Sequence, residues 1–146
     1  MVNNGYERLQ RRPAYEKLRF YQNICEIRRL IYRITKRFEK SHLRLVGQMR
    51  DAARSAKQNI REGYRKDSAG EFGRGIKISA GSLEELEGDV DDCSEDGLIT
   101  KAEYGKLKDL FGKTNYQIDQ YLISLYQMER EGKWKRRFKV TAVNRS

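Results

Sequence analysis

The chain has 146 residues, 38% hydrophobic and 36% charged, and its 31 lysines and arginines against 21 acidic residues give a net charge of +10. This length predicts one domain, which buries about two thirds of its unfolded surface. No apolar run approaches the ~20 residues of a membrane span, and the amino terminus lacks the apolar segment of a signal peptide. We therefore expect a cytoplasmic protein without a membrane partner, whose positive charge favours polyanions.

The first predicted helix runs from Tyr15 to about Phe38. Its apolar residues recur at steps of four and three, which places them on one helix face: Phe20, Ile24, Ile27, Ile31, Ile34 and Phe38. The polar residues 1–14 before it are interpreted as a basic arm. A second helix is expected to start near Ser41 and to bury a stripe rich in alanine, which would let a neighbouring helix approach closely: Leu45, Met49, Ala52, Ala56 and Asn59.

The second helix is predicted to end at Gly63, because glycine accepts the positive φ of a helix terminus. Five residues later, Ser68 and Glu71 have the spacing of a capping box, which starts the third helix. Only four residues separate the stop signal from the start signal. The two helices must therefore fold back on each other as a helical hairpin.

The third predicted helix spans about Ala69 to Glu95, and a second capping box, Thr100 to Glu103, starts the fourth. Both carry apolar stripes with steps of three and four. Close helix contact is expected to compensate the cost of the glycines within the third helix, which are Gly73, Gly75, Gly81 and Gly88. The pattern predicts an all-α, antiparallel up-down-up-down four-helix bundle with left-handed crossing over residues 15–131, followed by a loose basic tail, residues 132–146.

Polar residues near the stripes give little support for catalysis. The sequence has one histidine, no nucleophile elbow and no phosphate-binding glycine loop, so we predict a non-enzymatic protein without a cofactor. Hydrogen bonds across helices are the expected role of Ser55, Asn59 and Ser82. Cys25 and Cys93 lack metal-ligand spacing and are interpreted as buried thiols.

Charge is distributed unevenly along the chain. Residues 1–40 hold 11 basic and 4 acidic side chains and residues 41–66 hold 7 and 2, whereas residues 67–99 hold 2 and 10. If the first two helices share an outer face, that face is a basic ridge for a phosphate backbone. The alternative is that these cations only solvate helix surfaces. The candidate contacts on the helices are Arg28, Arg29, Arg33, Arg37, Arg50, Arg54, Lys57 and Arg61.

The tail interleaves cations with aromatic rings, as proteins that bind single strands do when bases stack on rings. A solubilising tail is the alternative. The candidate nucleic-acid contacts of the tail are Trp134, Lys135, Arg136 and Arg137.

In the third helix, Glu85, Asp89 and Asp92 fall on one face, but no histidine accompanies them and we predict no metal site. These acids are better explained by pairing with the basic face of another subunit, a heterologous contact that closes into a ring.

The stretch from Gln48 to Leu86 resembles a known family signature. The matching residues include Gln48-Met49-Arg50, Ala52-Ala53, Asn59-Ile60, Glu62-Gly63, Glu71-Phe72 and Gly81-Ser82-Leu83. They are similar to the four-helix bundle proteins encoded within intervening sequences of 23S ribosomal RNA genes, with weaker resemblance from about Tyr15 to Gln127. The resemblance implies a homopentameric ring, and the basic faces predict that this ring binds nucleic acid, RNA rather than DNA. Distant relatives imply an alternative, an accessory subunit that binds a reverse transcriptase and its RNA in a diversity-generating retroelement.

Overall fold

The computed structural model describes residues 13–135, which form four α-helices and two short 3-10 helices and contain no strand. The α-helices are α1 (Arg19–Thr35), α2 (Leu43–Arg65), α3 (Ala69–Glu95) and α4 (Lys101–Arg130), while the 3-10 helices Ala14–Lys17 and Lys36–Phe38 flank α1. Each α-helix packs against its neighbours in sequence, and α1 also packs against α4. The predicted all-α four-helix fold is confirmed, and these contacts are consistent with the up-down-up-down order.

The predicted apolar stripes form the core. Ile24, Ile27 and Ile31 of α1 are buried. The stripe of α3 is buried, and so is the middle of the α4 stripe, whereas its members Tyr104, Tyr121 and Met128 are only partly buried. The buried residues of these two stripes include Phe72, Ile76, Leu83, Leu86, Phe111, Ile118 and Leu125. In α2, however, the line of burial is turned from the predicted one. Leu45 and Asn59 are only partly buried, whereas their neighbours Val46, Ala53 and Ile60 are fully buried. These neighbours keep the seven-residue spacing that packing against two adjacent helices requires.

The prediction that Gly63 ends the second helix is wrong. The helix continues to Arg65, and Gly63 is buried inside it, against the backbone of α3. Asp67 instead turns the chain, with φ of 60°. Ser68 then caps α3 by accepting a hydrogen bond from the backbone N–H of Glu71 at 3.1 Å, whereas the Glu71 carboxylate lies near Lys66 at 3.9 Å. Only the serine half of the predicted capping box therefore forms.

The joint between α3 and α4 follows the sequence prediction. Gly97, with φ of 73°, follows α3. The Thr100 hydroxyl accepts a hydrogen bond from the Glu103 backbone N–H at 3.1 Å, and the Glu103 carboxylate accepts one from the Thr100 N–H at 2.9 Å. This complete capping box satisfies two backbone donors that the helix itself leaves unpaired.

The predicted hydrogen bonding across helices holds for Ser55 and Ser82 but not for Asn59, whose partner Ser55 lies on the same helix. The Ser55 and Ser82 hydroxyls lie 3.0 Å apart across the two helices, and the Asn59 amide donates to the Ser55 hydroxyl at 3.0 Å. Ser79, fully buried, donates to the backbone carbonyl of Ala56 at 2.5 Å. The same pair of helices thus combines an apolar core with satisfied buried polar groups.

Two predictions about small residues hold only in part. Gly73 and Gly75 lie where a Cβ would meet Tyr126 and the backbone of α2, but Gly81 faces open space, as does Gly88. Close contact therefore compensates the first two glycines and not the other two. Among the cysteines, Cys93 is buried and Cys25 is only half-buried.

Candidate nucleic-acid interface

Four cations from α1 and α2 meet in one surface groove of about 170 Å³, here called the basic groove. In α2, Arg54, Lys57 and Arg61 follow one another at steps of three and four, so they share the helix face next to the buried Ala53 and Ala56. Packing of α1 against α2 adds Arg28 from the opposite wall. Tyr21 and Gln58 complete the lining.

None of the four cations of the basic groove forms a salt bridge with an acidic residue within residues 13–135. Arg54 and Arg61 are exposed, while Arg28 and Lys57 are half-buried. Like charges so close together repel, and the described part of the protein supplies no counter-charge within ion-pair distance. Binding of a polyanion to this groove would therefore be favourable, because it releases small counterions and relieves the repulsion between the cations.

A second groove continues the first, since Tyr21, Lys57 and Arg61 line both. Arg29 belongs to it, and its guanidinium lies 2.9 Å from the Glu26 carboxylate. Both side chains of this pair are exposed, so the ion pair contributes little to stability and leaves the Arg29 guanidinium available to a ligand. One carboxylate, that of Glu16, also lines the second groove.

The other predicted cations do not join the basic groove. Arg50 lies 2.9 Å from Glu39, donates to the Thr35 hydroxyl at 3.1 Å, and stacks 4.2 Å from the centre of the Tyr32 ring. It therefore holds the joint between α1 and α2. Arg33 lies on a different side of the bundle, in a groove of about 360 Å³ between α1 and α4.

Arg37 lines the same α1–α4 groove and is neutralised by a carboxylate of the same chain. Its guanidinium makes a two-pronged pair with the Glu103 carboxylate, with distances of 2.6 and 2.7 Å, and it donates to the Leu98 carbonyl. The hydrogen bonds from Arg37 hold the pKa of Glu103 down at about 2. The expectation that all eight helix cations lie on one ridge is thus wrong, because Arg33, Arg37 and Arg50 lie elsewhere.

Trp134 folds back onto the bundle, although the sequence suggested a loose tail. Gly132, with φ of 67°, reverses the chain after α4, and the Lys133 N–H donates to the Met128 carbonyl at 2.8 Å. The Trp134 ring is half-buried and lies 6.2 Å from the Phe72 ring, between centroids. Lys135 is exposed, and the predicted contacts Arg136 and Arg137 lie outside the described residues.

An aromatic cavity of about 520 Å³ opens at the end of the bundle where α1 and α3 begin and α2 and α4 end. Its lysine rim consists of Lys17, Lys133 and Lys135. Its walls are the aromatic side chains of Tyr15, Tyr64, Phe72 and Tyr121, for which the sequence pattern predicted no site, together with that of Trp134. An up-down topology brings these four helix ends together. The aromatic residues near each end were therefore the sequence signal that could have predicted this cavity.

Two acidic residues of α3, Glu87 and Asp91, face α4, whereas Asp89 accepts a hydrogen bond from Gln48 of α2 at 3.1 Å. Lys108 of α4 pairs with Glu87 at 2.6 Å and with Asp91 at 3.0 Å, and the Tyr104 hydroxyl donates to Asp91 at 2.8 Å. These carboxylates raise the pKa of Lys108, chiefly through the hydrogen bond to Glu87. Several acids further out on α3 are exposed, namely Glu84, Glu85, Asp92, Glu95 and Asp96.

Residues 13–135 contain neither a metal-binding cluster nor a membrane-spanning helix. No three histidine, cysteine, aspartate or glutamate side chains are grouped so that they could hold a metal ion. In the same residues, no helix has both the length and the apolar composition that crossing a bilayer requires.

Comparison with known proteins places the chain in a family. No significant match was found among curated proteins. A family model described as 23S rRNA-intervening sequence protein matches residues 16–120, which is most of the chain and nearly all of the bundle. The match includes the stretch from Gln48 to Leu86 and the whole basic groove. The chain belongs to the 23S rRNA-intervening sequence protein family.

Proposed function

We propose that this protein is a non-enzymatic, cytoplasmic, nucleic-acid-binding bundle whose basic groove holds the phosphate backbone of RNA. The observation that supports this most is that Arg28, Arg54, Lys57 and Arg61 share one groove with no acidic partner within residues 13–135. A single exposed lysine or arginine says little, but four from two helices form a continuous positive surface. The family description, which links these proteins to 23S rRNA, favours RNA over DNA.

The same proposal includes a ring-shaped homo-oligomer, a pentamer. α3 carries exposed acids such as Glu85 and Asp92, whereas α1 and α2 carry exposed cations outside the basic groove, such as Arg33 and Arg44. Two different, complementary surfaces on one protomer favour head-to-tail contacts, which close into a ring when the rotation between neighbours permits. No feature of residues 13–135 favours the alternative role as an accessory subunit of a reverse transcriptase.

RNA binding is tested by fluorescence anisotropy with a labelled RNA at a series of salt concentrations. A groove variant carries Arg54→Gln, Lys57→Gln and Arg61→Gln. We expect wild-type affinity to fall steeply with salt, and the groove variant to bind more weakly with a salt slope lower by about 2, from about 0.7 per lost phosphate contact.

The matched control removes the same number of charges elsewhere, through Lys101→Gln, Lys106→Gln and Lys113→Gln on the exposed side of α4. Its salt slope should stay near that of the wild type. Equal losses in the groove variant and the control would assign binding to net charge alone and refute the groove. Absence of salt-dependent binding would refute the proposed function.

A further inference from the structure

We propose that the aromatic cavity takes up an unstacked base from a single strand whose phosphates follow the basic groove. This inference rests on the proposed function and extends it from a general polyanion to single-stranded nucleic acid. Three observations on the described residues support it: the ring geometry of the cavity, its continuity with the basic groove, and its lysine rim.

The cavity belongs to a continuous cluster of aromatic rings. Ring centroids are 4.9 Å apart between Tyr15 and Tyr64, 5.2 Å between Tyr64 and Phe72, and 6.0 Å between Phe72 and Tyr121. Tyr15, Tyr64 and Phe72 are buried and form the floor of the cavity. Trp134, 6.2 Å from Phe72, and Tyr121 are only half-buried, so their rings supply the surface that remains open to a ligand. A volume of about 520 Å³ lies within the roughly 300–1,000 Å³ of small-ligand pockets.

The cavity is connected to the basic groove along the surface. The second groove shares Lys57 and Arg61 with the basic groove, and it shares Tyr15 with the cavity. From Arg54 to Tyr64 the path follows ten residues of α2, about 15 Å at 1.5 Å per residue. A strand that places consecutive phosphates along the arginines can therefore reach the cavity within a few nucleotides.

Charge around the cavity matches a nucleotide. Lys17 and Lys135 are exposed at its rim, and Lys133 pairs with Glu131 at 3.2 Å on the surface, where such a pair is weak. An apolar aromatic interior with a cationic rim suits a ligand with a flat, uncharged ring and an attached phosphate. Every base has such a face, so the expected binding tolerates different sequences.

The aromatic cavity also predicts that the protein binds single-stranded nucleic acid more tightly than duplex. A base within a duplex is stacked and paired, and extruding it costs several kcal/mol. A base in a loop or at a free end does not carry this cost in full. The basic groove alone would bind the backbone of both forms, whereas the cavity adds affinity only where a base is free to enter.

Trp134 is the single tryptophan of the chain and therefore reports directly on the cavity. The test titrates the full-length protein with AMP, with a single-stranded RNA, and with an oligonucleotide of the same length whose sugars carry no bases. We expect AMP and the RNA to quench the Trp134 emission and the abasic strand to leave it unchanged. The abasic strand should still bind with a steep salt dependence, measured by anisotropy.

A variant separates stacking from folding. Trp134→Leu should lower single-strand affinity about tenfold while duplex affinity and the salt slope stay at wild-type values, and Trp134→Phe should restore most of the loss. Tyr116→Leu changes a ring that is 66% exposed on α4 outside the cavity, and should have no effect. Thermal unfolding of all three variants controls for stability.

The two proposals fail in different ways. Emission that does not respond to RNA, or a Trp134→Leu variant with full single-strand affinity, would overturn the cavity even if the groove variant weakens binding. Quenching by AMP in a protein whose RNA binding is insensitive to salt would overturn the basic groove and leave the cavity standing.

Discussion

Gly63 of α2 and Gly75 of α3 are in direct backbone contact. A Cβ on Gly63 would lie 3.1 Å from the Cα of Gly75, and one on Gly75 would lie 3.0 Å from the Cα of Gly63. The helices α2 and α3 can therefore approach this closely only because neither residue has a side chain. Arg54, Lys57 and Arg61 lie on α2 before this contact, and their groove forms on another side of the helix, where α2 packs against α1.

The first prediction concerns this contact. In Gly63→Ala, the new Cβ would lie 2.7 Å from the backbone carbonyl oxygen of Glu71, which cannot rotate away. The two helices must separate, and we expect the free energy of unfolding to fall by about 1–3 kcal/mol. Urea unfolding followed by circular dichroism measures the change.

The control for this variant is Gly81→Ala in the middle of α3, where a Cβ would meet nothing within 4 Å. Alanine has the higher helix propensity, so this variant should be more stable than the wild type by about 0.5–1 kcal/mol. If both alanines changed stability by the same amount and sign, close contact between α2 and α3 would not explain Gly63.

The second prediction concerns acid stability. The pKa of Glu103 is lowered to about 2, mainly by the hydrogen bonds from Arg37. A carboxylate with a lowered pKa in the folded state stabilises the protein above its ordinary value near 4.5, and this stabilisation disappears as the pH falls from there toward 2. Solvent around Arg37 limits it to about 1 kcal/mol.

Glu103→Gln tests this assignment, because glutamine keeps the capping box with Thr100 but carries no charge. Its unfolding free energy should depend less steeply on pH than that of the wild type between pH 4.5 and 2. Arg37→Met should have the same effect. An unchanged pH profile in both variants would mean that the pair does not contribute to stability.

The third prediction concerns the two thiols. Burial is the main cause that raises the pKa of Cys93 to about 11, and its side chain has no exposed surface. Cys25 is half-buried. At pH 8 a thiol reagent should therefore modify Cys25 of the native protein quickly, and Cys93 only when the protein unfolds. In Cys25→Ser the fast phase should disappear, and its persistence would contradict the burial of Cys93.

The fourth prediction concerns assembly. Size-exclusion chromatography with light scattering should give a mass near five times the 17.2 kDa of the protomer. Reversing charge at exposed acids of α3, in a double variant with Glu85→Lys and Asp92→Lys, should place like charges against exposed cations of the next protomer that lie outside the basic groove, such as Arg33 and Arg44, and should lower the mass. The groove variant should keep the wild-type mass, because its three cations are assigned to RNA. A monomeric wild type, or an unchanged mass of the double variant with Glu85→Lys and Asp92→Lys, would refute the proposed ring.

The helices themselves could be predicted from the sequence, because their signals are local. A period of 3.6 residues locates each apolar stripe, and a capping box such as Thr100 to Glu103 needs only residues three apart. The α3 and α4 stripes and the start of α4 were predictable in this way. Gly63 was not, because a glycine that ends a helix and one that admits a neighbouring backbone look alike in sequence.

The sequence by itself therefore determined that this chain is an all-helical bundle with its cations on the first two helices and its acids on the third. Only the tertiary structure decided which cations are available. Arg50 and Arg54 lie one turn apart on α2, yet Glu39 neutralises the first while the second lines the basic groove. The reason is that ion pairs and cavities form between helices, and sequence spacing fixes positions around one helix but not the neighbours that each position meets.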